Sequence, residues 1–388
     1  MNICACVAEY NPLHLGHLKH IDYMKNTLGA KHIVVIMSGN FTQRGEPAVL
    51  DKYTRARHAV LAGADIVIEL PAVFSAANAE IFARGAINIL SSLGGIDGLC
   101  FGVESGVEAE YIALAKAMND ESKDFKRALK DNLEKGVSLA KAKFEAVKAV
   151  NYGNFNENLI SSPNNILALE YTKAVLKNNS AINIYPMPRE GDHNDTVLKK
   201  GVTSATSIRE ALKAGLKKKL KKSLPPFVYA DLKEYPFAFD KIIMAAALTS
   251  SKEKLAEVCD CTEGLENRIK ALSKDNKTVE SLVEKVSTKR YPATRIRRIL
   301  CANLLGITRT LTEDCLASPM YARVLAVNSA DKEILSAISA GSSIPVITRK
   351  SDGADLKRAA LKSVEKDELA SELYSLATGV KEGKMILV

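Results

Sequence analysis

The N-terminal part of the chain alternates between short apolar runs and longer stretches in which apolar residues recur with a helical period. The apolar runs are ICACVAEY (3–10), HIVVIMSG (32–39), DIVIELP (65–71) and GLCFGVE (98–104). Near-continuous apolar runs are typical of strands that helices cover on both faces. The helical stretches lie between them, near residues 15–28, 51–63 and 78–93, and Asp51 is the predicted N-cap of the second. This rhythm predicts an α/β fold with a doubly wound parallel sheet.

The same alternation continues, after a charged and helix-prone insertion, as far as residue 215. Ser162 and Pro163 are typical of a helix start and predict a helix over 162–178. INIYPMPRE (182–190) predicts a strand, and TSATSIREALKAG (203–215) predicts a helix that ends at a glycine. Beyond this point the rhythm stops, and the pattern is mostly helical. We therefore predict two domains, residues 1–215 and 216–388.

Composition narrows the class of protein. Of 388 residues, 47% are hydrophobic and 26% are charged, as is usual for globular proteins. No apolar run approaches the roughly 20 residues that cross a bilayer, and the N-terminus lacks a charged leader, so we expect a cytoplasmic protein without a membrane span. The seven cysteines and six histidines show no zinc-ligand spacing, which predicts reduced, packed thiols and no metal site.

A net charge of +9 and a pI of about 9.0 favour a polyanionic partner. Two basic stretches stand out. LKKKLKKSLPP holds five lysines within 217–222, a pattern that is also typical of a solvated surface. TKRYPATRIRRIL places arginines around an aromatic residue, a combination suited to RNA phosphates and unstacked bases. For this stretch we predict RNA contacts by Arg295, Arg297 and Arg298.

The stretch NPLHLGH follows the first predicted strand directly and opens the first predicted helix. Ligands of open α/β sheets bind beyond the carboxyl ends of the strands, and helix N-termini attract anions. Gly16 allows a ligand to approach the backbone, while His14 and His17 share one face of the first helical turn. The stretch therefore predicts a phosphate site with two imidazoles that can follow charge as it builds on phosphorus.

A second stretch, SATSIRE (204–210), combines hydroxyl groups at a helix start with an arginine. A guanidinium group is a fixed fork of donors that suits phosphate oxygens. On its own the stretch is equally typical of a helix cap beside a surface arginine. With NPLHLGH in the same domain, it predicts a second phosphate contact through Ser207 and Arg209.

NPLHLGH resembles the HxGH signature of the nucleotidyltransferase superfamily, which is related to the HIGH motif of class I aminoacyl-tRNA synthetases. SATSIRE resembles the late ISSTxIR motif of the same superfamily. The resemblance of both motifs implies a Rossmann-like fold. More specific strings resemble the family of bacterial tRNA(Met) cytidine acetate ligases. These are AEYNPLHLGHLKHI, MSGNFTQRGEPA, DKYTRARHAVLAGADIVIELP, SPNNILALEY and TSATSIR, with a looser match at RYPATRIRRILCANLLGI.

This resemblance implies an enzyme that uses ATP to activate acetate as acetyl-adenylate. The acetyl group then passes to the exocyclic amine of the wobble cytidine of elongator tRNA(Met). The chemistry needs in-line positioning and stabilisation of charge on phosphorus, and no separate serine or cysteine nucleophile. ATP is thus the implied substrate, and Mg²⁺ is a possible companion that the sequence leaves open.

The resemblance also implies the site residues, with His14 and His17 as the catalytic pair. The ATP contacts it implies in the first motif are Val7, Ala8, Glu9, Tyr10, Asn11, Pro12, Leu13, His14, Leu15, Gly16, His17, Leu18, Lys19 and His20. Further contacts are Gly102, Asn164 or Asn165, Arg189, Ser207 and Arg209. Gly102 and Arg189 also fit a plain strand end and a surface arginine, and either asparagine could instead stabilise a helix start.

Gln43, Arg44 and Lys52 follow the second strand and could contact nucleotide, acetate or RNA, or lie in a solvated loop. Two other functions stay open at this point. A small-molecule adenylyltransferase would carry the same motifs without needing a basic helical domain. A non-enzymatic RNA-binding protein would not need intact histidines. No KMSKS element follows the sheet domain, which argues against a complete class I synthetase.

Overall fold

The structure is a computed structural model that describes residues 1–119, 122–137, 139–150, 155–189, 204–235 and 238–388. Its strands are β1 (Ile3–Ala8), β2 (His32–Ser38), β3 (Ile66–Leu70), β4 (Gly98–Val103), β5 (Asn183–Pro188), β6 (Ala322–Val327), β7 (Val346–Ile347) and β8 (Ile386–Leu387). Glu190 and Thr203, at the ends of two predicted elements, lie outside the described residues.

Helices in the first half of the chain are α1 (Leu15–Asp22), α2 (Lys52–Leu61), α3 (Ala72–Ser75), α4 (Ala79–Leu93), α5 (Glu108–Met118), α6 (Lys123–Glu134), α7 (Leu139–Ala149), α8 (Pro163–Lys177) and α9 (Ala205–Lys213). Those in the second half are α10 (Pro226–Asp231), α11 (Phe239–Thr249), α12 (Lys252–Glu257), α13 (Leu265–Ser273), α14 (Val279–Val286), α15 (Ala293–Leu305), α16 (Arg309–Ala317), α17 (Glu333–Gly341) and α18 (Arg358–Thr378).

The strands form one sheet in the order β5-β4-β1-β2-β3-β6-β7, with β8 paired to β6. The first five strands are parallel, which confirms the predicted doubly wound core. The complete sheet is mixed, because β6, which was not predicted, runs antiparallel to β3. The sequence analysis missed β6, a short apolar run inside a helical context. It pairs with a strand about 250 residues earlier in the chain, and no local pattern predicts such a pairing.

Both faces of the sheet are buried, as the continuous apolar runs predicted. Along β2, Val34 and Ile36 join one core cluster, and Ile33, Val35 and Met37 join the other. The first cluster lies under α4, α8, α15 and α18, and the second lies under α1, α2, α9 and α10. Helices therefore cover the sheet on both faces.

Helix starts follow the expected capping chemistry. Asp51 accepts hydrogen bonds from the N–H groups of Tyr53 and Thr54 and opens α2. Ser162 accepts one from Asn165 at the start of α8, where Pro163 is the first helical residue. Both predicted caps are confirmed.

The division at residue 215 stays a prediction. Residues after 216 are mostly helical, yet they also contribute β6, β7 and β8 to the shared sheet. All seven cysteines are free, and all but Cys259 are buried, as the sequence analysis predicted. None of the helices in the described part of the chain has the length and apolar character that crossing a membrane requires.

A buried charge cluster links β3, α2 and β6. Both carboxylate oxygens of Glu69 lie 2.9 Å from the Lys52 Nζ, and Glu69 Oε2 lies 3.7 Å from the Arg323 Nε. The side chains of Lys52 and Glu69 are only 1% and 3% exposed. Lys52 therefore has a structural partner in the core, and Glu69 compensates two buried cations.

We predict that Glu69→Ala lowers the apparent free energy of unfolding by about 3–5 kcal/mol, because it removes the carboxylate that pairs directly with two buried cations. Urea denaturation measures the effect. Asp124→Ala is the matched control, since it breaks the exposed pair with Arg127 and should cost less than about 1 kcal/mol. Equal, small effects of the two substitutions would contradict the role of the cluster.

Candidate active site

The order of the five parallel strands reverses between β1 and β4, which both lie in the middle of the sheet and feed helices on opposite faces. Doubly wound folds bind ligands in the crevice at this switch point. A cleft of about 410 Å³ lies there, lined by Val7 and Ala8 at the end of β1 and by Phe101 and Gly102 at the end of β4. Its remaining walls come from α1, α4, α8, α9 and α15 and from the loop after β2.

The two histidines of the HxGH stretch cap α1 reciprocally. His14 Nδ1 accepts a hydrogen bond of 3.1 Å from the backbone N–H of Gly16. His17 Nδ1 accepts one of 3.2 Å from the backbone N–H of His14. Two imidazoles thus replace the Ser/Thr and Glu side chains of the usual capping box. These local hydrogen bonds help to orient both rings.

Reciprocal capping also determines where the imidazole protons lie. A ring nitrogen that accepts a hydrogen bond carries no proton, so the neutral rings of His14 and His17 are protonated at Nε2. The rings stack with centroids 3.8 Å apart, and Tyr10 packs its edge against His17 with a centroid distance of 4.9 Å. Both histidines line the cleft. The pair can therefore present two N–H donors to an anion.

Two buried arginines hold the chain where β1 leaves the sheet. Arg55 is completely buried and donates to the carbonyl oxygens of Glu9 at 2.7 Å and Ser38 at 3.0 Å. Arg209 is 4% exposed and donates to the carbonyl oxygen of Asn11 at 2.9 Å. Between these points Tyr10 adopts a φ of 46°, in the left-handed region that non-glycine residues rarely occupy. The guanidinium contacts stabilise that conformation, which is common at functional sites.

The loop between β2 and α2 is fastened to both sides of the cleft. The backbone N–H of Gln43 donates to Glu9 Oε1 at 2.7 Å. Gly45 has a φ of +72°, and a Cβ there would lie 2.4 Å from the backbone of Arg297 in α15. A glycine is thus required for the loop to pack on α15, and this packing places Gln43 and Arg44 on the cleft wall.

The β4 side of the cleft combines apolar surface with one arginine. A Cβ on Gly102 would lie 2.9 Å from the aliphatic carbons of Arg189, so the glycine makes room for that side chain. Burial and the nearby Arg189 lower the pKa of His20 to about 4, which keeps this ring neutral at physiological pH. Phe101, Leu167 and Tyr171 supply a surface suited to a base or ribose.

The structure separates the two asparagines at the start of α8. Asn164 lines the cleft and donates to Glu104 Oε1 at 2.5 Å. Asn165 is completely buried, accepts from the N–H of Glu104 at 2.9 Å, and donates to Ser105 Oγ and the carbonyl oxygen of Asn158. Asn164 is therefore placed to contact a ligand, whereas Asn165 fixes the loop after β4.

Twelve of the residues predicted as catalytic or ATP-binding line the cleft together. They are Val7, Ala8, Glu9, Tyr10, Asn11, His14, His17, His20, Gly102, Asn164, Arg189 and Arg209. The others lie around it and do not line it: Pro12, Leu13, Leu15, Gly16, Leu18, Lys19, Asn165 and Ser207. Of these, Gly16 contributes its N–H to His14, and Ser207 hydrogen-bonds the capping Ser204.

Other cleft residues were not predicted. Ala79, Phe82 and Thr294 come from parts of the chain distant from the predicted motifs, whereas Pro163, Ile166 and Ala205 are apolar neighbours of predicted contacts. Arg298 was predicted to bind RNA, and the structure places it on the cleft wall. Arg295 donates to the carbonyl oxygen of Asp260 at 2.8 Å, and Arg297 pairs with Glu280 at 2.5 Å. RNA binding by these arginines stays a prediction.

The spacing of cysteines and histidines in the sequence predicted no metal site. Within the described ranges, one group of donor side chains, His32, Asp65 and Asp331, has the spacing of metal ligands. His32 Nδ1 and Asp331 Oδ2 already pair at 2.5 Å, and Asp65 Oδ2 accepts from the N–H of Ile33 at 2.8 Å. In the cleft, Glu9 is the sole carboxylate among the described lining residues. A Mg²⁺ ion arriving with ATP would therefore take its ligands mainly from phosphate oxygens and water.

Comparison with known proteins agrees with this geometry. The chain matches the HIGH Nucleotidyl Transferase family over residues 1–385. It is 40% identical over 360 residues to the tRNA(Met) cytidine acetate ligase of Clostridium novyi, covering 89% of each chain. It is 37% identical over 385 residues to the enzyme of that name from Thermoanaerobacter sp. (strain X514), covering 97% of this chain and 96% of the other.

Solved structures give the same result. Thermotoga maritima TmcAL bound with alpha-thio ATP matches with a TM-score of 0.91 and 26% identity, covering 100% of both chains. The apo form of that protein matches with a TM-score of 0.93 and 27% identity over 100% of both chains. The chain therefore belongs to the HIGH nucleotidyltransferase family, and its relatives there are tRNA(Met) cytidine acetate ligases. The resemblance seen in the sequence is confirmed.

We predict that His14→Asn and His14→Ala separate the capping role from the chemical role. Asparagine is a good N-cap and keeps an acceptor for the Gly16 N–H, so it should preserve stability, whereas alanine should cost about 1 kcal/mol. Neither side chain has an Nε2–H, so both variants should lose at least about 100-fold in ATP-dependent turnover. Thermal unfolding and pyrophosphate release measure the two effects. Wild-type turnover in His14→Asn would contradict the assignment.

The adjacent asparagines make a second matched pair. We expect Asn165→Ala to destabilise the protein by about 1–3 kcal/mol, because it leaves buried partners unsatisfied. Asn164→Ala should leave stability nearly unchanged and weaken ATP binding by roughly 3- to 10-fold, the effect of one lost hydrogen bond. Calorimetry of ATP binding and urea denaturation check both; the reverse pattern would show that the two roles are exchanged.

Proposed function

We propose that this protein is an ATP-dependent ligase that activates acetate as acetyl-adenylate and acetylates the wobble cytidine of elongator tRNA(Met). One observation carries the proposal. Two neutral imidazoles cap α1 at the switch point of a fold that matches, over its full length, a TmcAL structure bound with alpha-thio ATP. The cytoplasm, where tRNA is modified, is the location that this function requires.

In the first step an acetate oxygen attacks the α-phosphorus of ATP. A bond forms between that oxygen and phosphorus, the bond from phosphorus to the bridging oxygen breaks, and pyrophosphate leaves with the electron pair. The Nε2–H groups of His14 and His17 donate to phosphate oxygens as negative charge builds on them. Arg209, fastened to the Asn11 carbonyl oxygen, holds the triphosphate beside the same turn. Binding at fixed positions supplies the in-line geometry.

In the second step the exocyclic amine of cytidine attacks the carbonyl carbon of acetyl-adenylate. A carbon–nitrogen bond forms, the bond from carbon to the phosphate oxygen breaks, and AMP leaves, its phosphate taking up the proton that the amine loses. The mixed anhydride is already activated, so no protein nucleophile is needed. The role of the cleft is to exclude water, which would otherwise hydrolyse the anhydride.

The basic segment after α9 supports tRNA as the partner. Lys218, Lys219, Lys221 and Lys222 are exposed on a 3₁₀ turn (Lys217–Lys222) that follows the helix carrying Arg209. Contacts to phosphates dominate the affinity of proteins for nucleic acids. A backbone bound along this segment would lie next to the helix that reaches the cleft, which is the geometry a cytidine acceptor requires.

The proposal predicts that labelled acetate, ATP and bacterial tRNA together yield labelled acetylcytidine after digestion of the RNA. His17→Ala should abolish the label, at least about 100-fold, and should leave tRNA affinity largely intact, because His17 lies inside the cleft. Filter binding of tRNA is the matched control.

Three results would contradict the proposal. Pyrophosphate release with a free nucleotide acceptor and without acetate would identify a small-molecule adenylyltransferase. Retention of tRNA without any turnover of ATP would identify an RNA-binding protein. Equal loss of labelling and of tRNA affinity in His17→Ala would remove the histidine from the chemical step.

A further inference from the structure

Arg298 on α15 is a cation in the cleft that lacks hydrogen bonds. Its side chain is 13% exposed, and its Nε is buried without a partner. Within the described part of the chain its guanidinium forms only one ion pair, with Asp260 Oδ2 at 3.8 Å, a distance beyond hydrogen bonding. Buried donors are nearly always satisfied in folded proteins. A buried Nε without a hydrogen bond, on a guanidinium that lines the cleft, therefore indicates a ligand.

Neighbouring contacts fix where Arg298 lies. Asp260 Oδ1 accepts from Asn78 Nδ2 at 3.0 Å, and the Asp260 carbonyl oxygen accepts from Arg295. Asn78 in turn caps α4 through the N–H of Ile81. The chain of contacts holds α15 against the start of α4. Asp260 also pairs with Arg298, but at 3.8 Å it is too far away to accept a hydrogen bond, so the guanidinium is positioned and its donors remain available.

The surroundings of Arg298 suit a small anion with an apolar end. Ala79 and Phe82, in the first turn of α4, line the cleft, and so does Thr294, one turn before Arg298 on α15. The positive end of the α4 dipole adds to the cationic field there. Phe82 is 3% exposed and offers a ring surface for a methyl group.

Arg298 also lies on the other side of the sheet from the proposed phosphate site. His14, His17 and Arg209 belong to the layer of α1 and α9, whereas α4 and α15 belong to the opposite layer. In-line displacement requires the attacking oxygen to approach phosphorus from the side opposite the leaving group. A nucleophile held by α4 and α15 would enter from the layer that does not hold the triphosphate.

We propose that Arg298 binds the carboxylate of acetate, with Thr294 as a second donor and with Phe82 and Ala79 around the methyl group. The inference rests on the proposed function and assigns the carboxylate subsite of the same cleft. A guanidinium fork matches the two oxygens of a carboxylate. Its burial in the cleft, away from the exposed lysines after α9, argues against contact with the tRNA backbone.

The test is the acetate dependence of acetylcytidine formation in Arg298→Met and Arg298→Lys. We expect the KM for acetate to rise about 10- to 100-fold in the methionine variant, the effect of losing a charge-assisted hydrogen bond. Lysine keeps the charge without the fork, so its KM should rise less. The KM values for ATP and tRNA should stay within about two-fold. Arg84→Met, on α4 but facing a separate groove, is the matched control and should behave as wild type.

Substitution of the apolar wall gives an independent readout. Phe82→Ala should enlarge the subsite and raise the rate with propionate relative to acetate by about 10-fold, the discrimination expected for one methylene. This ratio does not depend on how much of the variant is active. It also keeps the inference testable if both Arg298 variants fail to fold.

A larger rise in the KM for ATP would make Arg298 a phosphate ligand, and a rise confined to tRNA would make it an RNA contact. Either result, or unchanged kinetics, overturns the inference while the proposed function stands. If the wild-type protein shows no acetate dependence at all, the proposed function is wrong and the inference falls with it.

Discussion

Reciprocal capping of α1 by two imidazoles is the interaction on which the site depends. His14 and His17 exchange hydrogen bonds with backbone N–H groups through their Nδ1 atoms. A single local contact thus begins the helix, stacks the rings and places the remaining proton of each ring on Nε2. Structure and chemistry use different atoms of the same side chains. The same two side chains therefore serve both the stability of the turn and the presentation of donors to phosphate.

Much of the fold could be predicted because local residue patterns mark the strands and helices of its parallel core. Continuous apolar runs marked β1 to β4, the return segment INIYPMPRE marked β5, and capping residues such as Asp51 and Ser162 marked the helix starts. The antiparallel strand β6 could not be found this way. Its pairing with β3 is non-local. In the sequence Arg323 is typical of a surface residue, whereas in the structure it lies beside the buried Glu69, which also pairs with Lys52. Buried charge is a property of tertiary packing.

The residues of the site fall into the same two groups, those that a local motif predicts and those that only tertiary packing reveals. Residues of one contiguous motif, from Val7 to His20, were predictable because strand end, turn and helix start follow each other in sequence. Arg298 and Phe82 were not, because they reach the cleft only when α4 and α15 pack together. Gly45 illustrates the cause: its missing Cβ permits the loop after β2 to contact the backbone of α15. Sequence patterns identified the motif that is predicted to bind ATP, and the packing of α4 and α15 forms the other wall of the cleft.

A crystal structure with a non-hydrolysable ATP analogue tests the central claim most directly. The account predicts phosphate oxygens about 2.7–3.2 Å from the Nε2 atoms of both His14 and His17, with Arg209 contacting the same triphosphate. A triphosphate bound elsewhere, or imidazoles whose Nε2 atoms contact only protein atoms while the nucleotide is bound, would contradict it.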